Sequence, residues 1–494
     1  MRKMGVQSLW IDKVSLSDNE IKVEVQNIKR ALNKSVDIQA YCVYFVREKV
    51  TQGNIHDLSK LTYLSYSMIV NYSYRDRTNS YLLFSFVSTP MKYNLYKNKA
   101  VPLTNHYYHS TKDYTLAIKG RDGKLYQFKI NCSPFFQQNG LTTFCIQSAL
   151  ATLFNHLNIS KKIILPMDIN KIARLKFKQC LAGGLDIKQT KRTIKNKRLF
   201  YKTFDFHADQ VEKLFKNLKT KYDLPPSGII YPWMESGFPG FIVFETQKGY
   251  HAMPIIGHTL STDLWRPEAD IRYKRYVRNH FRSVSAWVDN YIINDDNFGM
   301  YLTYPTSKLE DKKRNLGYLV QYILFMTPKT IDFTPDTLEI DLIKILRNYL
   351  KRIKKDFKQI QINSNPWLEK LVREEHAPLV SRTLFVEKND YIKTLQKKDS
   401  NKKILPEEVI RFFREKMPDN FWLTEITFPD LYVANKSALI HIASSFINGE
   451  PLYIQIPKFS TFYRDFKPRI AFDHEVGGHR AIYSIPSSNE TFDW

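Results

Sequence analysis

The sequence predicts an α+β protein, and three observations carry that expectation. Residues 1–130 alternate polar and apolar side chains in short runs such as "DIQAYCVYFV" and "SYLLFSFV", the period-two pattern of strands with one face buried. After Asn139 the pattern becomes helical, in "TTFCIQSALATLFNHLN". From Ser227 it turns to strands, in "SGIIYPWMESGFPGFIVFE", "GYHAMPIIGHT" and "SAWVDNYIINDDNFGMYLTYP". A helix-led half followed by a sheet-led half places any chemistry where the two meet.

A chain of 494 residues is too long for one simple core, so it divides into several regions. The first, residues 1–130, is β-rich. Its last part, "YTLAIKGRDGKLYQFKI", reads as a hairpin whose β-prone arms meet at "GRDG". The second, residues 131–330, opens on a helix with Thr142 or Thr143 available as N-cap. A second helix follows in "PMDINKIARLKFKQCLA" and stops at Gly183-Gly184, before the basic run Lys188–Lys202. The third, residues 331–494, is a mixed α/β accessory region that begins with a basic amphipathic helix. In it Leu342, Leu346, Tyr349, Leu350, Ile353, Phe357 and Ile360 share one face, and Lys344, Arg347, Lys351 and Lys354 cover much of the rest.

Composition narrows the function classes. Lysine and arginine total 74 against 49 acidic residues, a formal net charge of +25. That surplus attracts polyanions and acidic proteins through long-range fields and counterion release, so a nucleic-acid or acidic-protein partner is one expectation; a lysine-biased background composition gives the same tilt. The segment "MRKMGVQSLWIDKV" lacks the apolar core of a secretory signal. The longest apolar runs, such as "YLVQYILFM", fall far short of the roughly 18 residues a membrane span needs. Cys42, Cys132, Cys145 and Cys180 form no CxxC pair. They read as reduced thiols of a cytoplasmic protein, with no disulfide frame or zinc knuckle. In "DHEVGGH" the imidazoles of His474 and His479 are five residues apart across two glycines. A helix would point them in different directions, and no metal site is expected there. No Walker loop or GxGxxG turn is present, and no cofactor is expected.

A lone cysteine in a helix is usually an inert buried thiol. Cys145 has company. It stands at a helix start, where the helix N-terminus favours thiolate. Gln137, Gln138 and Asn139 lie six to eight residues upstream, within reach of a developing oxyanion. His251 sits in the apolar strand "GYHAMPIIGH", and Asp295 and Asp296 end the strand "NYIINDD". Thiol, imidazole, orienting carboxylate and amide are the parts that nucleophilic acyl transfer requires.

In that order (amide, Cys-bearing helix, strand-borne "HA" followed by "IIGH", then "YIINDD") the stretch 135–305 resembles the papain-like cysteine peptidases. The likeness is closest to the compact bacterial branch that processes bacteriocin leaders. The resemblance implies a central Cys-bearing helix packed on an antiparallel sheet. It implies Cys145 as nucleophile, His251 as general base and acid, and Asp295 or Asp296 as the orienting group. The family places its oxyanion glutamine six residues before the cysteine. Asn139 holds that position here, with Gln138 and Gln137 further upstream, so all three are oxyanion candidates.

The expected function is a cysteine-dependent hydrolase, in the first instance a peptidase acting on a protein or peptide substrate. A deamidase, isopeptidase or transacylase would use the same residues. The alternative is an inactive papain-like scaffold that binds nucleic acid or an acidic protein through its basic surface.

Overall fold

The computed structural model describes residues 6–455, apart from 51–57, 89–106, 207–225, 260–280, 310–318, 328–334, 357–365, 397–406, 429–439, 446–450 and breaks of one to four residues. The "GRDG" tip, Thr142 and Thr143, Cys180, Gly183 and the "DHEVGGH" segment lie outside the described residues. The fold is mixed α/β with several antiparallel sheets.

The N-terminal sheet is an antiparallel meander, β1 (Ser8–Val14), β2 (Asp37–Val46), β3 (Tyr63–Tyr74) and β4 (Arg77–Val87), with helix α1 (Lys22–Leu32) between β1 and β2. A short β5 (Tyr107–His109) precedes the hairpin β6 (Lys112–Lys119) and β7 (Leu125–Cys132), whose register runs from Lys112 opposite Cys132 to Lys119 opposite Leu125. The alternation of "YTLAIK" and "LYQFKI" therefore forms the two arms expected of it.

Among the described residues there follow α2 (Cys145–His156), α3 (Pro166–Ala173) and α4 (Ile187–Asn196), and then β8 (Phe200–Asp205). The second helix ends ten residues before the expected Gly183, because Arg174 adopts a left-handed backbone (φ 58°) that stops it. Next come α5 (Pro226–Glu235), β9 (Gly240–Thr246), β10 (Gly249–Thr259), β11 (Phe281–Ser283), β12 (Asn290–Asp295), β13 (Gly299–Pro305) and β14 (Leu319–Thr327). The central sheet has the order β13-β12-β10-β9-β14-β8, and β5 also pairs with β10. The C-terminal part contains α6 (Pro335–Asp356), α7 (Pro366–Arg373), β15 (Leu379–Glu387), α8 (Lys388–Gln396), α9 (Glu407–Lys416), β16 (Asn420–Thr427), β17 (Ile440–Ser445) and β18 (Pro451–Gln455). Its sheet, β11-β15-β16-β17-β18, is antiparallel except for the parallel pair β11–β15.

The central sheet is buried on both faces. Phe241 and Val243 of β9 join Ala252, Leu324 and Met326 in a core shared with α2, the hairpin and the N-terminal sheet. Their alternate neighbours Ile242 and Phe244 join Met253, Ile255 and Phe325 in a second core with α5, α6 and the C-terminal sheet. Leu342, Leu346 and Leu350 of α6 enter that second core as the helical period requires, while Lys344 stays exposed.

One expectation is corrected. The run "SGIIYPWME" reads as a strand, but residues 226–235 form α5. Every residue of α5 is buried between the two sheets, so neither a two-residue nor a 3.6-residue alternation is written into it. Pro232 inside the helix lacks an N–H, and its carbonyl accepts from the backbone N–H of Ser236 at 3.1 Å.

Candidate active site

Helix α2 begins at Cys145, and no side chain caps it at Phe144 (φ −121°, ψ 15°). The first-turn N–H groups of α2 therefore point toward the cysteine end of the helix, where they stabilise negative charge. All twelve residues of α2 are buried, so the helix is fixed by packing, and Gln147 donates to Asn170 of α3 at 3.0 Å. The Cys145 Sγ lies 3.8 Å from the carbonyl oxygen of Tyr250, the residue before His251, and the thiol is close enough to the His251 imidazole to help raise its pKa.

His251 is held on β10 opposite Phe244 of β9. Its Nε2 lies 3.1 Å from Asp295 Oδ1 and 3.6 Å from Asp296 Oδ1. Asp295 ends β12 and pairs with Gly299 of β13 across a tight turn. The same Asp295 Oδ1 accepts the Asn297 backbone N–H at 2.9 Å, and Gly299 sits at φ +135°, closed to most side chains. The carboxylate that meets the imidazole is thus locked by its own turn.

Charge reinforces this geometry. Burial alone would lower the His251 pKa, but hydrogen bonds to Asp295 and Cys145 and the charges of both aspartates raise it to about 10. Burial first, and then the neighbouring Asp295 charge, raise Asp296 to about 6, against the opposing pull of His251 and Gln138. The imidazole is therefore cationic at neutral pH.

The three upstream amides part company. Gln138 Nε2 donates to Asp296 Oδ2 at 2.6 Å, which places Gln138 in the cluster. Gln137 instead accepts the Leu82 backbone N–H at 2.9 Å and anchors its loop to β4. Asn139 accepts the Leu141 N–H at 2.9 Å through its own Oδ1 and donates to Glu24 Oε1 at 3.0 Å. Gln137 and Asn139 bond within and below the loop, and Gln138, seven residues before the cysteine, is the one of the three amides that bonds to the His251–Asp295–Asp296 cluster. Glu24, on α1, holds this loop from below and has no counterpart in the sequence reading. A glutamate on an amphipathic helix carries no signal that separates it from a solvated one.

His258, further along β10, is fully buried and 2.8 Å from Glu235 Oε2. Arg382 of β15 bridges Glu235 and, at 3.0 Å, Glu425. This network ties β10, α5 and the C-terminal sheet together. His251, Asp295 and Asp296 also offer three ligand atoms within 4.8 Å of one another, a donor set that suits a divalent cation. The thiol at the start of α2, beside the imidazole, is what favours nucleophilic chemistry over metal binding. Among the described residues no helix is long and apolar enough to cross a membrane. Compared with known proteins, the chain matches no family model and no curated protein.

Proposed function

We propose that this chain is a cysteine-dependent hydrolase, in the first instance a peptidase, with a papain-like arrangement of Cys145, His251 and Asp295. One observation carries the reading: a buried imidazole sits beside a thiol at a helix N-terminus and bonds through Nε2 to a carboxylate fixed by its turn. The packing of α2 on the antiparallel sheet that carries His251 is consistent with it.

The roles follow from the atoms. With Nε2 committed to Asp295, Nδ1 is the nitrogen left to exchange a proton with sulfur. The resulting thiolate attacks the substrate carbonyl carbon. The oxyanion formed there meets the α2 N-terminal N–H groups and the second N–H of Gln138, whose first goes to Asp296. The imidazolium then protonates the leaving amine. Water attacks the thioester with the imidazole as base, releases the acid and restores the thiol. Asp296 steadies Gln138 and adds charge beside the imidazole.

Purified protein incubated with an unfolded, unmodified substrate such as reduced casein tests this. New amino termini should appear and should be lost in Cys145→Ala and His251→Ala. Equal cleavage by wild type and Cys145→Ala would remove Cys145 from the reaction.

A further inference from the structure

Helix α1, strand β6 and the segment entering α3 enclose a cavity of about 740 Å³ apart from the Cys145 cluster. That volume lies within the roughly 300–1,000 Å³ of small-molecule sites. Its lining is graded. Buried Phe84, Leu116, Ile164 and Met167 form an apolar floor, and exposed Thr115, Ala117 and Lys162 form the rim. Lys171 and half-buried Lys197 add two further cations at the wall. Lys171 is paired with Asp168 at 3.1 Å, whereas Lys162 and Lys197 have no ion-pair partner among the described residues.

Two walls of this cavity also support the loop leading to Cys145. Met167 and Val23 pack against Phe144, the residue immediately before the cysteine. Glu24, another lining residue, accepts the Asn139 side-chain N–H at 3.0 Å, one residue from Gln138. Its second carboxyl oxygen is buried with no hydrogen-bond partner among the described residues. A molecule seated in the cavity would press on both supports.

We propose that this cavity binds an anionic amphiphile, a single apolar chain with a carboxylate head, and that its occupancy tunes the reactivity of Cys145. The apolar floor takes the chain and excludes water from it. Lys162 and Lys197 at the mouth take the head. A cationic head is disfavoured by the same lysines.

Dodecanoate is the probe, with dodecyltrimethylammonium as the same chain carrying the opposite head. Binding is read by calorimetry on the full chain below the micelle concentration, independently of any hydrolytic activity. Dodecanoate should bind at one site and weaken as salt rises. Its Kd should rise about tenfold or more in Ala117→Trp, which fills the cavity from an exposed strand position, and likewise in Lys162→Glu/Lys197→Glu. The ammonium compound should bind at least about tenfold more weakly. Bound dodecanoate should change the rate of Cys145 alkylation by iodoacetamide about fivefold.

Absent binding, unchanged affinity in Ala117→Trp, or equal affinity for the two head groups would overturn the site. Binding with an unaltered alkylation rate would overturn the coupling. An unreactive Cys145 in the free protein, with binding intact, would count against the hydrolase reading and leave the cavity assignment standing.

Discussion

Replacing Asp295 with asparagine removes a charge while keeping the shape that holds His251. In the wild type the bond is 3.1 Å long, buried, and charge-assisted. Such bonds contribute about 1.5–3 kcal/mol. At about 1.36 kcal/mol for each pKa unit, losing one should lower the His251 pKa by roughly 1–2 units. From about 10 in the wild type it should fall to roughly 8–9. Asp296, at 3.6 Å and carrying its own hydrogen bond from Gln138, retains part of the elevation. The assay is a pH titration of histidine-labelled protein by NMR, with the His251 signal identified by its absence in His251→Gln. A midpoint in Asp295→Asn equal to that of the wild type would refute the reasoning. So would a wild-type His251 that titrates near its ordinary 6.5.

Linkage gives a stability profile. The His251 pKa is raised on folding, so its contribution is complete below about 6.5 and is lost as pH rises through about 10; denaturant midpoints should fall across that window, and less so in His251→Gln. Arg382→Ala removes the buried cation that bridges Glu235 and Glu425 in a site with no solvent exposure, which should cost about 3–5 kcal/mol in a urea titration. Gly240→Ala would set a Cβ 2.3 Å from Phe325 Cδ1 and 2.7 Å from the Leu324 carbonyl oxygen. The neighbouring strand must shift, and thermal melting should report a loss of about 1–3 kcal/mol. Dialysis against EDTA should leave Cys145 alkylation by iodoacetamide unchanged, and a fall restored by a divalent cation would move His251, Asp295 and Asp296 to a metal site.

Where pattern and environment agree, the sequence is a good guide to this fold. Strands β6 and β7 alternate because one face is buried, and β12 reads as a strand because Tyr291, Ile292 and Ile293 occupy its centre. Helix α6 shows its inner face through Leu342, Leu346 and Leu350. Where an element is enclosed on all sides the period disappears, and α5 is the example. The parallel pairing of β11 with β15 joins segments about a hundred residues apart, beyond any local pattern. At the site, chain order brings Cys145, His251 and the aspartates to notice. Choosing among Gln137, Gln138 and Asn139 depends on which way each amide faces, and one residue of turn geometry decides that. Glu24 was hidden because its role comes from Tyr81 and Asn139, distant in sequence, converging on a helix surface.

We propose that Cys145 is a nucleophile activated by His251, and its reactivity tests this directly. Cys42 and Cys145 are almost equally inaccessible, at 6% and 7% exposure, so a difference in their labelling would be chemical. Mass spectrometry after brief treatment with iodoacetamide or an E-64-type epoxide near pH 7 measures it. Modification should fall on Cys145 ahead of Cys42 and Cys132, and should be lost in His251→Ala. Equal, slow labelling of all three, or labelling of Cys145 that survives His251→Ala, would contradict it.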